Sequence, residues 1–262
     1  MERGMNERIR KLRKQSLETE PHIYMERANL ETDAYMMYEG SVSVPELRAL
    51  SFKHFMENKT LCINDGELIV GEKGDGPQAA PSFPELCCHT VEDMKIMNAR
   101  DLIYFRVTDE DLKLQEEKII PFWEKRSIRH KILENMTEEW KNAYAAGIFT
   151  EFMEQRGPGH TVGSEKIYKK GFLDYKNDII EARNNLDFLN DKEAFDKKSQ
   201  LNAMEICCDA IMILGERYAA YARELAEKET DETRKAELLQ IAANCDVVPA
   251  HAPQTFWQAI QM

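Results

Sequence analysis

The run from Lys192 to Glu229 contains no proline and a single glycine, Gly215. Its apolar residues Leu201, Met204, Ile211, Leu214, Tyr218, Tyr221 and Leu225 recur three, four or seven positions apart. That period sets them along one side of an α-helix, so the run predicts one long helix with a buried face. Globular helices usually span about 8–20 residues, which makes Gly215 or the Cys207–Cys208 pair the expected place for a bend. The rest of the chain is written the same way: 12 glycines and 9 prolines, most of them in a few clusters, leave helix formers uninterrupted between the clusters.

Helices are accordingly expected over about Asn6–Thr19, stopped by Pro21, over Tyr24–Tyr38, and from Pro45 onward, where Leu47, Leu50, Phe52 and Phe55 form a broad stripe. Thr60 to Glu85 reads as loop, with an Asn-Asp-Gly turn and one short strand at Glu67–Gly71, "ELIVG". Further helices are expected at Thr90–Asn98, Asp109–Arg126, Thr137–Ala145, Gly171–Phe188 and Asp231–Asn244. Pro253 is expected to open a last helix whose Phe256, Trp257, Ile260 and Met262 are left without cover, so the chain reads as cut inside a larger protein. The fold class is mainly α.

Thirty-five Lys and Arg stand against forty-seven Asp and Glu, a net charge of −12, which argues against a nucleic-acid or anionic-membrane surface. No stretch approaches the roughly 20 apolar residues of a membrane span, and the charged start lacks the apolar core of a signal peptide, so a soluble cytoplasmic protein is expected. Cys62, Cys87, Cys88, Cys207, Cys208 and Cys245 include two adjacent pairs, poor geometry for a disulfide framework, and read as reduced thiols. Cys87-Cys88-His89 lacks the second knuckle of a zinc site, so no metal is expected. The glycines of "GEKGDGP" lack the spacing of a phosphate loop.

One break stands out. "TEFMEQRGPGHTV", Thr150 to Val162, interrupts the helix formers with Gly157-Pro158-Gly159 and delivers His160. A rigid turn flanked by backbone freedom can bring the chain close to a ligand and aim one side chain. An imidazole there titrates near neutrality and can protonate a leaving hydroxyl; the plain alternative is a capping or surface histidine. Phe152 has the spacing of a core residue, with a substrate-facing ring as the other reading.

The segments "RALSFKHFMENKTLCINDGELIVGEKG", "TEFMEQRGPGHTVGSEKIYKKGFLD" and "CDVVPAHAPQTFWQAIQM" resemble the amino-terminal part of the glycyl radical enzymes, the pyruvate formate-lyase-like superfamily. "PELCCHT", "EFMEQR" and "FLDYKND" narrow the likeness toward its dehydratases of proline derivatives. The resemblance implies an α/β barrel of ten strands in two half-barrels, of which residues 1–262 are the helical amino-terminal portion, ending before the cysteine loop and the glycyl radical domain. It implies a hydro-lyase acting on trans-4-hydroxy-L-proline, with a radical installed on a later glycine by a separate activating enzyme that uses S-adenosylmethionine and an iron-sulfur cluster. His160 then matches the histidine that contacts substrate and serves catalysis, and Phe152 an aromatic wall of the pocket. No cofactor is expected on this chain itself, the full-length protein is expected as a homodimer, and the chain alone is expected to be inactive. Two alternatives stay open: another glycyl radical lyase, acting on a keto acid, a diol or choline, or a helical interaction module without catalysis.

Overall fold

A computed structural model describes residues 6–148 and 164–262. Twelve α-helices among the described residues carry the fold. In chain order they are α1 (Glu7–Glu18), α2 (Glu26–Tyr38), α3 (Val44–Asn58), α4 (Val91–Ala99), α5 (Asp109–Leu114), α6 (Ile120–Trp123), α7 (Ile128–Asn135), α8 (Glu138–Ala145), α9 (Phe172–Asn184), α10 (Ala194–Lys228), α11 (Glu232–Val247) and α12 (Phe256–Gln261). The starts are set by side chains that accept the free amides of a first turn. Asn6, Ser127, Thr137, Asp231 and Thr255 cap singly, while Ser43 with Glu46, Thr90 with Asp93 and Thr108 with Asp111 form reciprocal capping boxes.

Two three-residue strands, β1 (His22–Tyr24) and β2 (Ala79–Pro81), pair in parallel with His22 opposite Ala79 and Tyr24 opposite Pro81. The short strand therefore lies at β2, and not at Glu67–Gly71, which bends at Leu68 and Ile69 and forms no strand. Tyr24, expected as the start of the second helix, is instead the last residue of β1, and α2 begins at Glu26. The helix at Ile128–Asn135 has no counterpart in the sequence reading, and Pro253 lies outside α12, which Thr255 opens instead.

Two apolar cores stand among the described residues. One gathers Met25, Ala28, Met94, Ile119 and Trp123 from α2, α4 and the α5–α6 region. Between α5 and α6 the helix widens to a π turn over Gln115–Ile119, where the Ile120 amide donates to the Gln115 carbonyl. Pro121 has no amide to continue the α pattern, which accounts for the wider turn.

The second core lies under α10 and α11 and includes Val70, Tyr218, Ala219, Ala222, Ala226, Leu238, Ile241 and Cys245. Of the residues expected on the buried face of α10, Tyr218 is buried, Leu214 and Leu225 are partly buried against this core, and Met204 is exposed. The buried line is instead made of small residues, Ala203, Cys208, Ala210, Gly215, Ala219, Ala222 and Ala226. Small side chains let neighbouring helices approach closely, and α3, α9 and α11 all pack on α10. The helix runs from Ala194 to Lys228 without interruption, and Gly215 serves contact: a Cβ there would stand 2.7 Å from Pro249 Cδ. Polar ties fix the neighbours in place. Asn202 donates to Glu46 at 2.8 Å, Arg217 donates to the Lys59 carbonyl at the end of α3 at 2.7 Å, and Lys176 of α9 donates to Asp209 at 2.7 Å.

Candidate functional site

Phe152 and His160, the two site residues read from sequence, lie outside the described residues. The structure does describe both approaches to the stretch that carries them. On the amino-terminal side α8 ends at Ala145, and Gly147 turns left-handed at φ +71°. Its amide donates to the Tyr144 carbonyl and the Ile148 amide to the Ala143 carbonyl, the paired bonds of a Schellman cap. Glycine takes that backbone without the Cβ cost, so the helix stops firmly at this point.

On the carboxyl-terminal side a 3-10 turn over Ser164–Tyr168 leads to Gly171 and α9. The Phe172 amide donates to the Pro249 carbonyl at 2.9 Å and the Leu173 amide to the Ala250 carbonyl at 3.0 Å. The approach is close enough that a Cβ on Gly171 would lie 2.1 Å from the Ala250 oxygen. Gly171 has an ordinary φ of −94°, so the requirement is space and not backbone freedom. Pro249 in turn sits against Gly215 of α10. The start of α9, the 248–251 turn and the middle of α10 thus form three touching layers without side-chain padding.

The thiols carry no sign of nucleophilic activation. Burial pushes Cys62 up to about 11, with Glu67 and Glu72 adding to it, and Cys88 up to about 12, with Cys87 and Glu124 adding. Cys208 and Cys245 are each pushed up to about 11, again by burial first, and Cys207 is raised by burial alone. The upward shift at these five favours the protonated thiol over the thiolate of a nucleophile or a metal ligand. Among the described residues no group of three or more His, Cys, Asp or Glu gathers as a metal would require. None of the helices among the described residues is long and apolar enough to cross a membrane.

The "ELIVG" segment proves to be a meeting point. Trp257 Nε1 donates to the Leu68 carbonyl at 2.7 Å, and Arg234 donates to the Glu67 carbonyl at 2.7 Å. Gln261 pairs with Val70 in both directions, accepting from its amide and donating to its carbonyl, each at 2.9 Å. A side-chain amide thereby plays the part of a neighbouring strand. Phe256 and Ile260 stay exposed as the sequence suggested, whereas Trp257 packs on the second core.

Two further features escaped the sequence reading. Arg27 makes a two-pronged pair with Glu85, at 2.7 and 3.2 Å, donates to the Ser82 carbonyl, and lies over the Phe83 ring at 3.9 Å. The Arg27–Glu31 spacing of four was visible in sequence, but Glu85 was not linked to it by any local pattern. An apolar groove of about 890 Å³ also opens between α3, α9 and α10, lined by Pro45, Phe52, Phe172, Tyr175, Ile179 and Met204 among others.

The chain as a whole has close counterparts. It is 62% identical over 262 residues to the trans-4-hydroxy-L-proline dehydratase of Clostridioides difficile, covering 100% of this chain and 33% of that protein. The crystal structure of that dehydratase with trans-4-hydroxy-L-proline bound superposes with a TM-score of 0.94 across 100% of this chain and 33% of that one. The glycerol-bound B12-independent glycerol dehydratase of Clostridium butyricum follows at a TM-score of 0.90 and 30% identity, over 100% of this chain and 34% of that one. A glycyl radical enzyme from Archaeoglobus fulgidus matches at 0.89 and 30% identity, over 97% of this chain and 33% of that one. The chain thus spans about a third of the length of these relatives. The helical architecture described above is the architecture of the matching third of glycyl radical enzymes, and the family pattern described as pyruvate formate lyase-like matches residues 5–262: the chain belongs to that family.

Proposed function

We propose that residues 1–262 are the amino-terminal helical portion of a glycyl radical hydro-lyase that converts trans-4-hydroxy-L-proline to 1-pyrroline-5-carboxylate and water. The carrying observation is the 62% identity over all 262 residues, twice the 30% seen against the glycerol dehydratase, at a TM-score of 0.94 to a structure that holds hydroxyproline. A shared fold supports the family, and the excess identity supports the substrate.

In this reading a separate activating enzyme, using S-adenosylmethionine and an iron-sulfur cluster, places the radical on a glycine outside these residues. The reaction then removes a hydrogen atom from C5, expels the C4 hydroxyl, and returns a hydrogen atom. Hydroxide is a poor leaving group, so His160 donates or relays the proton that lets it depart as water. Phe152 contributes an apolar wall that keeps bulk water from the radical intermediates. The flanking Schellman cap and the Gly171 contact hold the two ends of the stretch bearing these residues. The working protein is a homodimer in the cytoplasm.

The test uses the complete protein with its activating enzyme under anaerobic conditions. A glycyl electron paramagnetic resonance signal and 1-pyrroline-5-carboxylate from hydroxyproline are expected, with neither from residues 1–262 alone. His160→Gln is expected to keep the radical signal and lose at least about 100-fold in dehydration. Undiminished turnover would remove the proposed role of His160. Turnover of glycerol or pyruvate in place of hydroxyproline would move the protein to another lyase of the family.

A further inference from the structure

Helix α1 has no part in the reading of Phe152 and His160, yet its bonds converge on one turn. Arg8, Leu12 and Gln15, four and three positions apart, form its half-buried side. That side lies on the Asn64–Glu67 turn: a Cβ on Gly66 would stand 3.8 Å from Arg8 Cγ and 3.9 Å from Leu12 Cδ2. Lys11 pairs with Asp65 of the turn, and Gln15 donates to Asn64 Oδ1 at 3.4 Å. Arg8 pairs with Glu237 of α11, and the same carboxylate takes Arg234 at 3.1 Å. Arg234 then reaches back to the turn, donating to the Asn64 carbonyl at 3.1 Å and to the Glu67 carbonyl at 2.7 Å. The turn runs directly into the residues that anchor α12, since Trp257 donates to Leu68 and Gln261 pairs with Val70. Glu67–Gly71 forms no strand, so separate side-chain ties and not a backbone ladder keep it in place. A segment held in this way opens more readily with each tie that is lost.

We propose that α1 is an ionic strap: its docking on the Asn64–Glu67 turn orders the segment as far as Val70, and the anchorage of α12 loosens when the ion pairs of the strap are weakened. The charge pattern sets the trigger. Helix α1 carries five cations, Arg8, Arg10, Lys11, Arg13 and Lys14, against Glu7 and Glu18, in a chain whose net charge is −12. It is an electropositive element drawn to an acidic body, and salt screens that attraction. The bonds from Trp257 and Gln261 join neutral groups, and Arg234 is only 11% exposed, so salt acts weakly on these ties themselves. A response of Val70 to ionic strength is therefore transmitted from α1.

Hydrogen-exchange mass spectrometry of the complete protein tests the strap, with the double variant Arg8→Gln/Lys11→Gln set against the native sequence at one ionic strength. Exchange is expected to quicken at least about 10-fold over Glu7–Glu18 and by a similar factor at Val70 and over α12, while α10 keeps its native rate. Faster exchange over α1 with Val70 and α12 unchanged makes the helix a passive attachment and overturns the proposal. A second set of variants guards against general unfolding. Lys11→Asp alone is expected to free both places, and Lys11→Asp with Asp65→Lys, which restores the attraction with its signs exchanged, is expected to return both to native rates. Recovery of α1 without recovery at Val70 overturns the proposal as well.

Discussion

Arg27 holds two buried carboxylates, and they are not equivalent. Glu85, its two-pronged partner, and Glu31, at 3.9 Å, are 6% and 5% exposed. Burial raises Glu31 above the usual carboxylate range, the nearby Glu85 adds to the rise, and Arg27 and Arg48 oppose it. A carboxyl whose folded pKa lies above its unfolded one binds its proton more readily in the fold. Its ionised form therefore costs stability above the folded pKa, and that cost is relieved as pH falls toward the unfolded value. Glu31→Gln is expected to leave stability at pH 7 unchanged or raised by about 1 kcal/mol, with the gain shrinking toward pH 4, in urea unfolding followed by circular dichroism. Arg27→Ala removes the two-pronged partner of Glu85, leaving Arg48 as the cation whose field still reaches it, and is expected to cost about 3 kcal/mol in the same measurement. Sequence could show Arg27 and Glu31 one helical turn apart. It could not show Glu85, because a contact across 58 positions has no local signature.

At the scale of elements, helices were legible because their signals are local. Asn6, Ser43, Thr90, Thr108 and Thr137 announce starts, and Gly147 a stop, within four residues of the bonds they make. The strand was misplaced for the opposite reason. "ELIVG" has the composition of a strand, yet the groups that pair with it are the side chains of Arg234, Trp257 and Gln261, far along the chain. The buried line of α10 was misread because periodicity rewards large apolar residues, whereas close helix packing selects alanine and glycine. Gln261→Ala removes both bonds to Val70, a residue 8% exposed, and is expected to cost about 1–3 kcal/mol. The local reading is the hydrogen exchange of the Val70 amide, which should lose its protection while amides of α11 keep theirs. As for the site, the Gly-Pro-Gly break and His160 stood out in sequence, whereas the anchoring of Gly171 against the 248–251 turn depends on tertiary contact.

Across the whole molecule, attachment strength is uneven. Helices α10 and α11 share a core, but α1 has no buried residue. It is held by the Arg8–Glu237 and Lys11–Asp65 ion pairs, by Gln15 to Asn64, and by Gln78 to the Ser16 carbonyl. Lys11–Asp65 is exposed and Arg8–Glu237 half-buried; exposed pairs contribute about 0.2–1 kcal/mol each and are screened by salt, half-buried ones less so. Amide protection over Glu7–Glu18 is therefore expected to fall steeply between about 0.05 and 1 M sodium chloride, with α10 unaffected, by hydrogen-exchange mass spectrometry. The stack of Gly171, the 248–251 turn and Gly215 is built in the opposite manner, with no slack. In a machinist's terms its parts are shimmed to zero clearance, so their tolerances add. A methyl group placed at Gly215, on the far side of the turn, displaces Pro249, and the displacement is delivered to Gly171. The register of α9 is thus gauged by a residue 44 positions beyond Gly171, in the middle of another helix.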